Sequence, residues 1–345
     1  MNSPLERVLC GTAVGDSLGL PSEGLTPGRI LSRWRGVWQQ RLFFGKGMIS
    51  DDTEHTVFVA QCLAAGPSSP EDFQHRLAWK FRWWLLCIPA GIGFATLRSI
   101  LKLWLGFPPA RSGVFSAGNG PAMRSAVIGV FWADDSEKLK EFVRASTRLT
   151  HTDPRAEIAA LAVALTARWA AQSTTVPDPK AMRDLWLSAG PDEGEWQKLV
   201  REMALCLERG DSVQEFAHSL GLQKGVSGYA YHSVPVALYA WLHHFGDFRA
   251  SLEAVLNCGG DTDTVGAITG ALAGLSSPIP EEWIVSICDY PISARYLSDL
   301  ADVLAVAQKG GGLPVPSFHW WALPFRNLLF LTIVLMHGLR RLVPL

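Results

Sequence analysis

Two short runs in this chain place aspartates where a loop turns into a helix. Residues 50–53 read SDDT and residues 259–264 read GGDTDT. Side-chain oxygens suit a helix N-terminus, where free backbone N–H groups favour anions, so both runs could serve as plain caps. A single DxD is also common to calcium loops and turns. Read as an extended loop, GGDTDT lets Asp261 and Asp263 alternate and aim the same way. If Asp51, Asp52, Asp261 and Asp263 converge, their charges need compensation, because burying unpaired carboxylates costs several kcal/mol each. Two divalent cations would balance them. An all-oxygen set completed by the Ser50 and Thr264 hydroxyls suits Mg²⁺, Mn²⁺ or Ca²⁺ rather than zinc.

Four further runs carry polar groups in apolar surroundings. GTAVGDSLGLPSE, at 11–23, puts Asp16 on a small-residue helix ending near Gly19, with Glu23 in a turn after Pro21. SAGNGPAMRSAVIG, at 116–129, is a glycine/asparagine loop opening a helix, and such backbone donors can hold phosphate. THTDP, at 150–154, places His151 at a loop–helix junction, where a structural hydrogen bond is the ordinary role. In SGYAYHSVP, at 227–235, Tyr229 or Tyr231 could stack on a base or ribose, or simply pack in a core.

The elements that must position these runs read as helices. Residues 53–65, 156–171, 234–242 and 264–275 have helical spacing or composition. The last carries Gly266, Ala267, Gly270, Ala271, Ala273 and Gly274, a surface that lets another helix approach closely. Few runs alternate like strands, and no βα repeat is evident. The expected fold is all-α, a single compact helical domain over 1–310 followed by an apolar helical appendage over 311–345.

Composition supports a large core: of 345 residues 48% are hydrophobic, 14 are tryptophan and only 18% are charged, against about 25% in ordinary domains. The net charge of -1 leaves no electrostatic footprint for nucleic acid. Six cysteines without paired spacing imply reduced, mostly buried thiols and a cytoplasmic protein. Residues 328–336 read LLFLTIVLM, followed by Arg340 and Arg341. That run is shorter than the roughly 20 residues a span needs, so a buried C-terminal helix is expected. Peripheral membrane or partner contact, with Trp320 and Trp321 at an interface, is the alternative. A monomer is the default.

Taken together and in order, GTAVGDSLGLPSE, SDDTEHT, SAGNGPAMR, THTDP, SGYAYHSVPVALYAW and CGGDTDTVGAITGALAG resemble the ADP-ribosylglycohydrolase family. The resemblance implies an all-helical fold with two Mg²⁺ or Mn²⁺ ions at the mouth of a cleft that binds ADP-ribose. It implies that Ser50, Asp51, Asp52, Asp261, Asp263 and Thr264 ligate the metals, and that Glu23 positions substrate or water. Glu23, Asp52 and Asp263 would then be the catalytic residues, with Asp16 structural behind them. Gly118, Asn119, Gly120 and Met123 match the loop that holds the phosphates and distal ribose, while His151 and Tyr229 match positions lining the cleft. The implied activity is hydrolysis of the glycosidic bond in an ADP-ribosylated protein or a small ADP-ribosyl compound.

One departure bears on the substrate. Arginine-directed members carry an aspartate in a D-I-G stretch between the SDDT and GNG runs. Here that run reads PAGIGFAT, at 89–96, with Gly91 in place of the acid. Serine-linked, O-acetylated or other small ADP-ribosyl compounds therefore gain over arginine-linked ones. Two rival readings are a non-catalytic ADP-ribose-binding or structural relative, and a binuclear-metal hydrolase of another nucleotide-like substrate.

Overall fold

The computed structural model describes residues 3–173 and 175–340. Arg341, one of the two C-terminal arginines, lies outside them. Among the described residues there are eighteen α-helices, three short 3-10 turns and isolated bridges in place of a sheet. The elements that build the site are, in chain order, α1 (Pro4–Gly19), α2 (Asp51–Ala64), α3 (Pro70–Leu86), α4 (Phe94–Trp104), α5 (Pro154–Gln172), α6 (Ala230–His243), α7 (Thr262–Ser276), α8 (Ala294–Gln308) and α9 (Leu323–Arg340).

The helices start where the sequence supplies caps. Ser3 accepts the Glu6 N–H ahead of α1, Ser50 the Asp52 N–H ahead of α2, and Asp153 the Arg155 N–H ahead of α5. Each such bond satisfies one of the free N–H groups of a first turn.

Helices α1 and α7 form the centre of the molecule, with α2, α5, α6 and α8 around them. Nearly every residue of the pair is buried. The glycines of α7 meet those of α1 backbone to backbone: a β-carbon on Gly15 would lie 1.9 Å from the Gly266 carbonyl oxygen, and one on Gly11 would lie 2.1 Å from that of Gly270. This contact explains why a helix so rich in glycine persists, since helix propensity is given up for close packing. Both members of the pair end at the same place, where Thr262 Oγ1 donates to the Gly19 carbonyl at 2.8 Å.

The C-terminal segment differs from its expected form. Helix α9 docks along one side only. Phe330 and Ile333 pack on Leu20, Leu42 and Met48, and Asn327 Nδ2 donates to the Cys87 carbonyl at 2.9 Å. Trp321, Phe325, Leu328, Leu335, Met336 and Leu339 stay exposed, so the helix is not the buried one its hydrophobicity suggests. Periodicity explains the outcome: with apolar residues on all sides, sequence alone does not say which side the body covers.

Candidate active site

The N-terminal ends of α2 and α7 face each other across the floor of a cleft of about 550 Å³. Asp16, on α1, holds the first end in place. Its carboxylate accepts the Ser50 N–H at 2.9 Å, the Thr53 N–H at 3.2 Å and the Thr53 hydroxyl. Those bonds fix the turn that presents Asp51 and Asp52. Burial pushes Asp16 up to about 6, against the pull of the Thr53 and Ser50 donors.

Asp51, Asp261, Asp263, Thr264 and Glu23 line the cleft. Asp52 and Ser50 lie beneath this lining. Asp52 Oδ2 accepts the Ser50 hydroxyl at 3.1 Å and the Thr264 hydroxyl at 3.2 Å, so the two acidic ends meet directly. Asp261 Oδ2 accepts Asn119 Nδ2 at 2.6 Å. The extended DxD inferred from sequence is corrected: Asp261 is the N-cap of α7, and Asp263 sits within its first turn. Both still face the cleft because the helix begins there.

Two oxygens remain without partners. Among the described residues, Asp52 Oδ1 and Asp263 Oδ1 are buried and find no hydrogen-bond donor. A buried, unpaired carboxylate oxygen is costly, and the neighbours make it worse. Asp263 is driven well above the usual carboxylate range by burial and then by Glu23, Asp261 and Asp52. Asp52 is raised in the same way by burial, Asp16, Asp51 and Asp261, and Asp51 by burial, Glu54, Asp16 and Glu23. Cationic compensation fits this arrangement, and the oxygen donors suit a hard divalent ion. Among the described residues, however, no three His, Cys, Asp or Glu side chains close on one point as a finished ligand group. A full shell here would need the hydroxyls of Ser50 and Thr264 or water.

One wall of the cleft is the loop carrying Gly118, Asn119 and Gly120, with Met123 following. His151 packs against it so closely that a β-carbon on Gly118 would lie 2.9 Å from its Nε2. His151 Nδ1 contacts Thr150 Oγ1 at 2.8 Å. Burial, followed by the charge of Arg124, lowers His151 to about 3, so the imidazole is neutral. Arg124 is a residue that the sequence reading passed over. It is fully buried and donates to the Gly120 carbonyl at 3.0 Å, the Ser146 carbonyl at 3.0 Å and Thr150 Oγ1 at 2.8 Å. It thereby shapes both the glycine loop and the His151 turn.

The structure does not bring the Tyr229 ring to the cleft lining. The tyrosine caps the start of α6, its hydroxyl donates to Glu195 Oε1 at 3.1 Å, and Arg155 lies over its ring. Ser227 and Gly228 line the cleft in its stead, and Gly91, Phe94, Thr96 and Ser116 complete the walls. Phe94 and Thr96 belong to the PAGIGFAT run, whose alignment position was the available signal. Gly91 has φ +80°, a conformation that disfavours a side chain.

Beneath α2 lies a second charged cluster. Arg326 of α9 pairs with Asp289 at 2.6 Å, approaches Glu54 Oε1 at 3.7 Å and donates to the Ile49 carbonyl, one residue before Ser50. Asp289 Oδ2 in turn accepts the Ile49 N–H at 3.1 Å. Glu54 is raised by burial to about 7 despite Arg326 and the Trp84 indole.

Comparison with known proteins agrees with this architecture. The profile of the ADP-ribosylglycohydrolase family matches residues 4–312. The chain belongs to the ADP-ribosylglycohydrolase family. It is 31% identical over 313 residues to an uncharacterized protein of Archaeoglobus fulgidus, covering 88% of this chain and 96% of that protein. It is 27% identical to the ADP-ribosyl-[dinitrogen reductase] glycohydrolase of Rhodospirillum rubrum, covering 86% of this chain and 94% of the relative. Human ADP-ribosylhydrolase ARH3 is 27% identical over 271 residues, covering 68% and 73% of the two chains. A solved ADP-ribosylglycohydrolase-related protein complex superposes with TM-score 0.64 at 25% identity, over 89% of this chain and all of that one. Family membership and these relatives support an ADP-ribosyl hydrolase, and the all-helical fold is the family's.

Proposed function

We propose that this chain is a divalent-metal-dependent hydrolase that cleaves the glycosidic bond of ADP-ribosyl conjugates, working as a cytoplasmic monomer. The observation that carries the metal dependence is the pair of orphaned, buried oxygens, Asp52 Oδ1 and Asp263 Oδ1, within a group of mutually repelling carboxylates. Ser50, Asp51, Asp52, Asp261, Asp263 and Thr264 would hold two Mg²⁺ or Mn²⁺ ions. When bound, such ions polarise a water and orient the ribose hydroxyls beside the scissile carbon.

The remaining work falls to the chain. The loop of Gly118, Asn119 and Gly120, shaped by Arg124, holds the phosphates and distal ribose. Neutral His151 contacts the ligand without adding charge. Cleavage of the anomeric bond develops oxocarbenium character, and the surrounding carboxylates favour it. Glu23 takes the proton of the attacking water.

For the linkage, Gly91 favours oxygen-linked substrates, serine-linked or O-acetylated, over arginine-linked ones. It offers no carboxylate to a guanidinium, and its φ of +80° disfavours any side chain at that point of the lining. The six cysteines are free thiols, five of them buried, in keeping with a reducing compartment.

The test is a panel of arginine-, serine- and acetyl-linked ADP-ribosyl substrates, each with Mg²⁺, with Mn²⁺ and with a chelator. Metal-dependent release of intact ADP-ribose from the oxygen-linked substrates is expected. Full turnover in chelator, cleavage to AMP and ribose phosphate, or ADP-ribose binding without turnover on any substrate would each sink the reading.

A further inference from the structure

Three neighbouring helices expose apolar stripes toward solvent, which single surface hydrophobes do not do. On α9 and the 3-10 turn before it the stripe runs Trp321, Phe325, Leu328, Leu335 and Leu339; on α3 it runs Trp79, Trp83 and Leu86; on α4 and its C-cap it runs Phe94, Leu101 and Leu105. Within each the steps are largely three or four residues, the spacing of one helix face. Contacts between the helices make the stripes one surface. Trp79, Trp83 and Trp320 line a single shallow hollow, Lys80 lies over the Trp320 ring, and Arg82 reaches across to the Leu103 carbonyl at 2.9 Å. The Asn327 bond to Cys87 joins α9 to the end of α3.

The stripes themselves carry bases, and the acids stand at two margins: Asp72 pairs with Arg76 at the start of α3, and Glu23, Asp51, Asp261 and Asp263 line the cleft beside Phe94. No Asp or Glu occurs between residues 73 and 133, or between 303 and 345, although the whole chain holds as many acids as bases to within one. Exposed Arg98 lies at helical spacing between Phe94 and Leu101 on α4, Lys102 of the same helix donates to the Gly113 carbonyl, and Arg82 reaches α4 at Leu103. A face of exposed tryptophan, leucine and phenylalanine interleaved with arginine and lysine, its acids confined to the cleft and to the start of α3, complements an anionic lipid surface. A second copy of the chain fits less well, because a twofold contact would set these cations against their own copies.

We propose that the α3–α4–α9 face is a peripheral membrane-docking surface for anionic phospholipid. Helix α9 lies on the lipid and does not cross it. The helix is long and apolar enough to span, by length and composition, over Trp320–Leu339. Arg326 and Asn327, however, fall inside that stretch and are tied to Asp289, Ile49 and Cys87, so crossing would tear the helix from the body. Phe94 belongs both to the α4 stripe and to the cleft wall. Docking therefore sets the cleft mouth beside the lipid and directs it to ADP-ribosylated groups held there. The docking itself rests on the surface alone, and only its target, the ADP-ribosylated group, rests on the proposed hydrolase function.

The test is flotation of the full chain with vesicles of phosphatidylcholine alone and of phosphatidylcholine mixed with phosphatidylglycerol. Binding is expected on the mixed vesicles only, weakening with salt and released by carbonate wash. Arg98→Glu with Lys102→Glu should weaken partitioning by about fivefold or more per cation removed. Trp321→Glu with Phe325→Glu should abolish it, and both pairs should keep native circular dichroism and turnover of a soluble ADP-ribosyl substrate. Absence from the mixed vesicles, undiminished binding by both double variants, or carbonate-resistant insertion would overturn the proposal. So would a dimer that these substitutions dissociate in a chain that ignores vesicles.

Discussion

Helices α1 and α7 pass through two contrasting regions. Along their length they meet glycine to glycine, dry and uncharged; at their shared end Asp16, Asp261 and Asp263 crowd with Asp51 and Asp52. The first region is held by backbone-to-backbone packing, and the second holds orphaned carboxylate oxygens and repelling charges. The difference teaches how one packing unit serves two ends. Backbones that touch cannot spread, so the carboxylates stay close even though each would prefer distance.

The contrast breaks most visibly at the charged end. Asp263→Asn and Asp52→Asn are expected to lower turnover by roughly 10²–10³-fold, measured with saturating Mg²⁺. In the metal-free chain the same changes should raise stability, by about 1 kcal/mol in urea unfolding, because repulsion is relieved. A variant that is both active and unchanged in stability would remove its residue from the site.

Arg326→Ala attacks the support beneath that end. It strips Asp289 of its buried partner and Glu54 of its nearest cation, and about 3–5 kcal/mol of unfolding free energy should be lost. Thermal unfolding checks this; an unaltered melting temperature would mean the cluster is not coupled to stability.

At the dry end, Gly15→Ala introduces a β-carbon against a backbone carbonyl that has no side chain to yield. A loss of about 1–3 kcal/mol is expected by denaturant titration, with metal affinity weakened as the acidic ends are levered apart. Normal stability in this variant would mean that the helices can part without cost.

The smallest expected effect is a null titration. His151 is held neutral, at about 3, so its folded-state pKa lies below the usual value near 6.5. The imidazole NMR signals should therefore not titrate between about pH 5 and 8. Because the folded form resists protonation, His151 contributes stability that is full above about pH 6.5 and declines as pH falls through that range. A titration midpoint near 6.5 would show the ring to be open to solvent.

Much of this arrangement was legible in the residues. Helical periodicity gave the core elements, and the glycines and alanines of α7 announced a close neighbour without naming α1. The two acidic runs sit at helix starts, as their capping chemistry demands. Other features depend on contacts far apart in sequence. Nothing local marks Asp289 as the partner of Arg326, 37 residues on, or shows that Asp52 lies below the cleft lining while Asp51 reaches it. Spacing misread the DxD as extended because a helix can start between its two acids. The Tyr229 ring is held outside the cleft lining because its hydroxyl donates to Glu195 and accepts from Arg155. Arg124 was hidden by its ordinary setting within a helix-opening run.

The tie from Arg326 to the Ile49 carbonyl also has a temporal meaning. During synthesis the segment that supplies Asp51 and Asp52 emerges early, while its guanidinium partner comes some 277 residues later. A nascent chain therefore carries its acidic corner unsupported until α9 has been translated and folded back, so competence waits on a segment made long after the acids themselves.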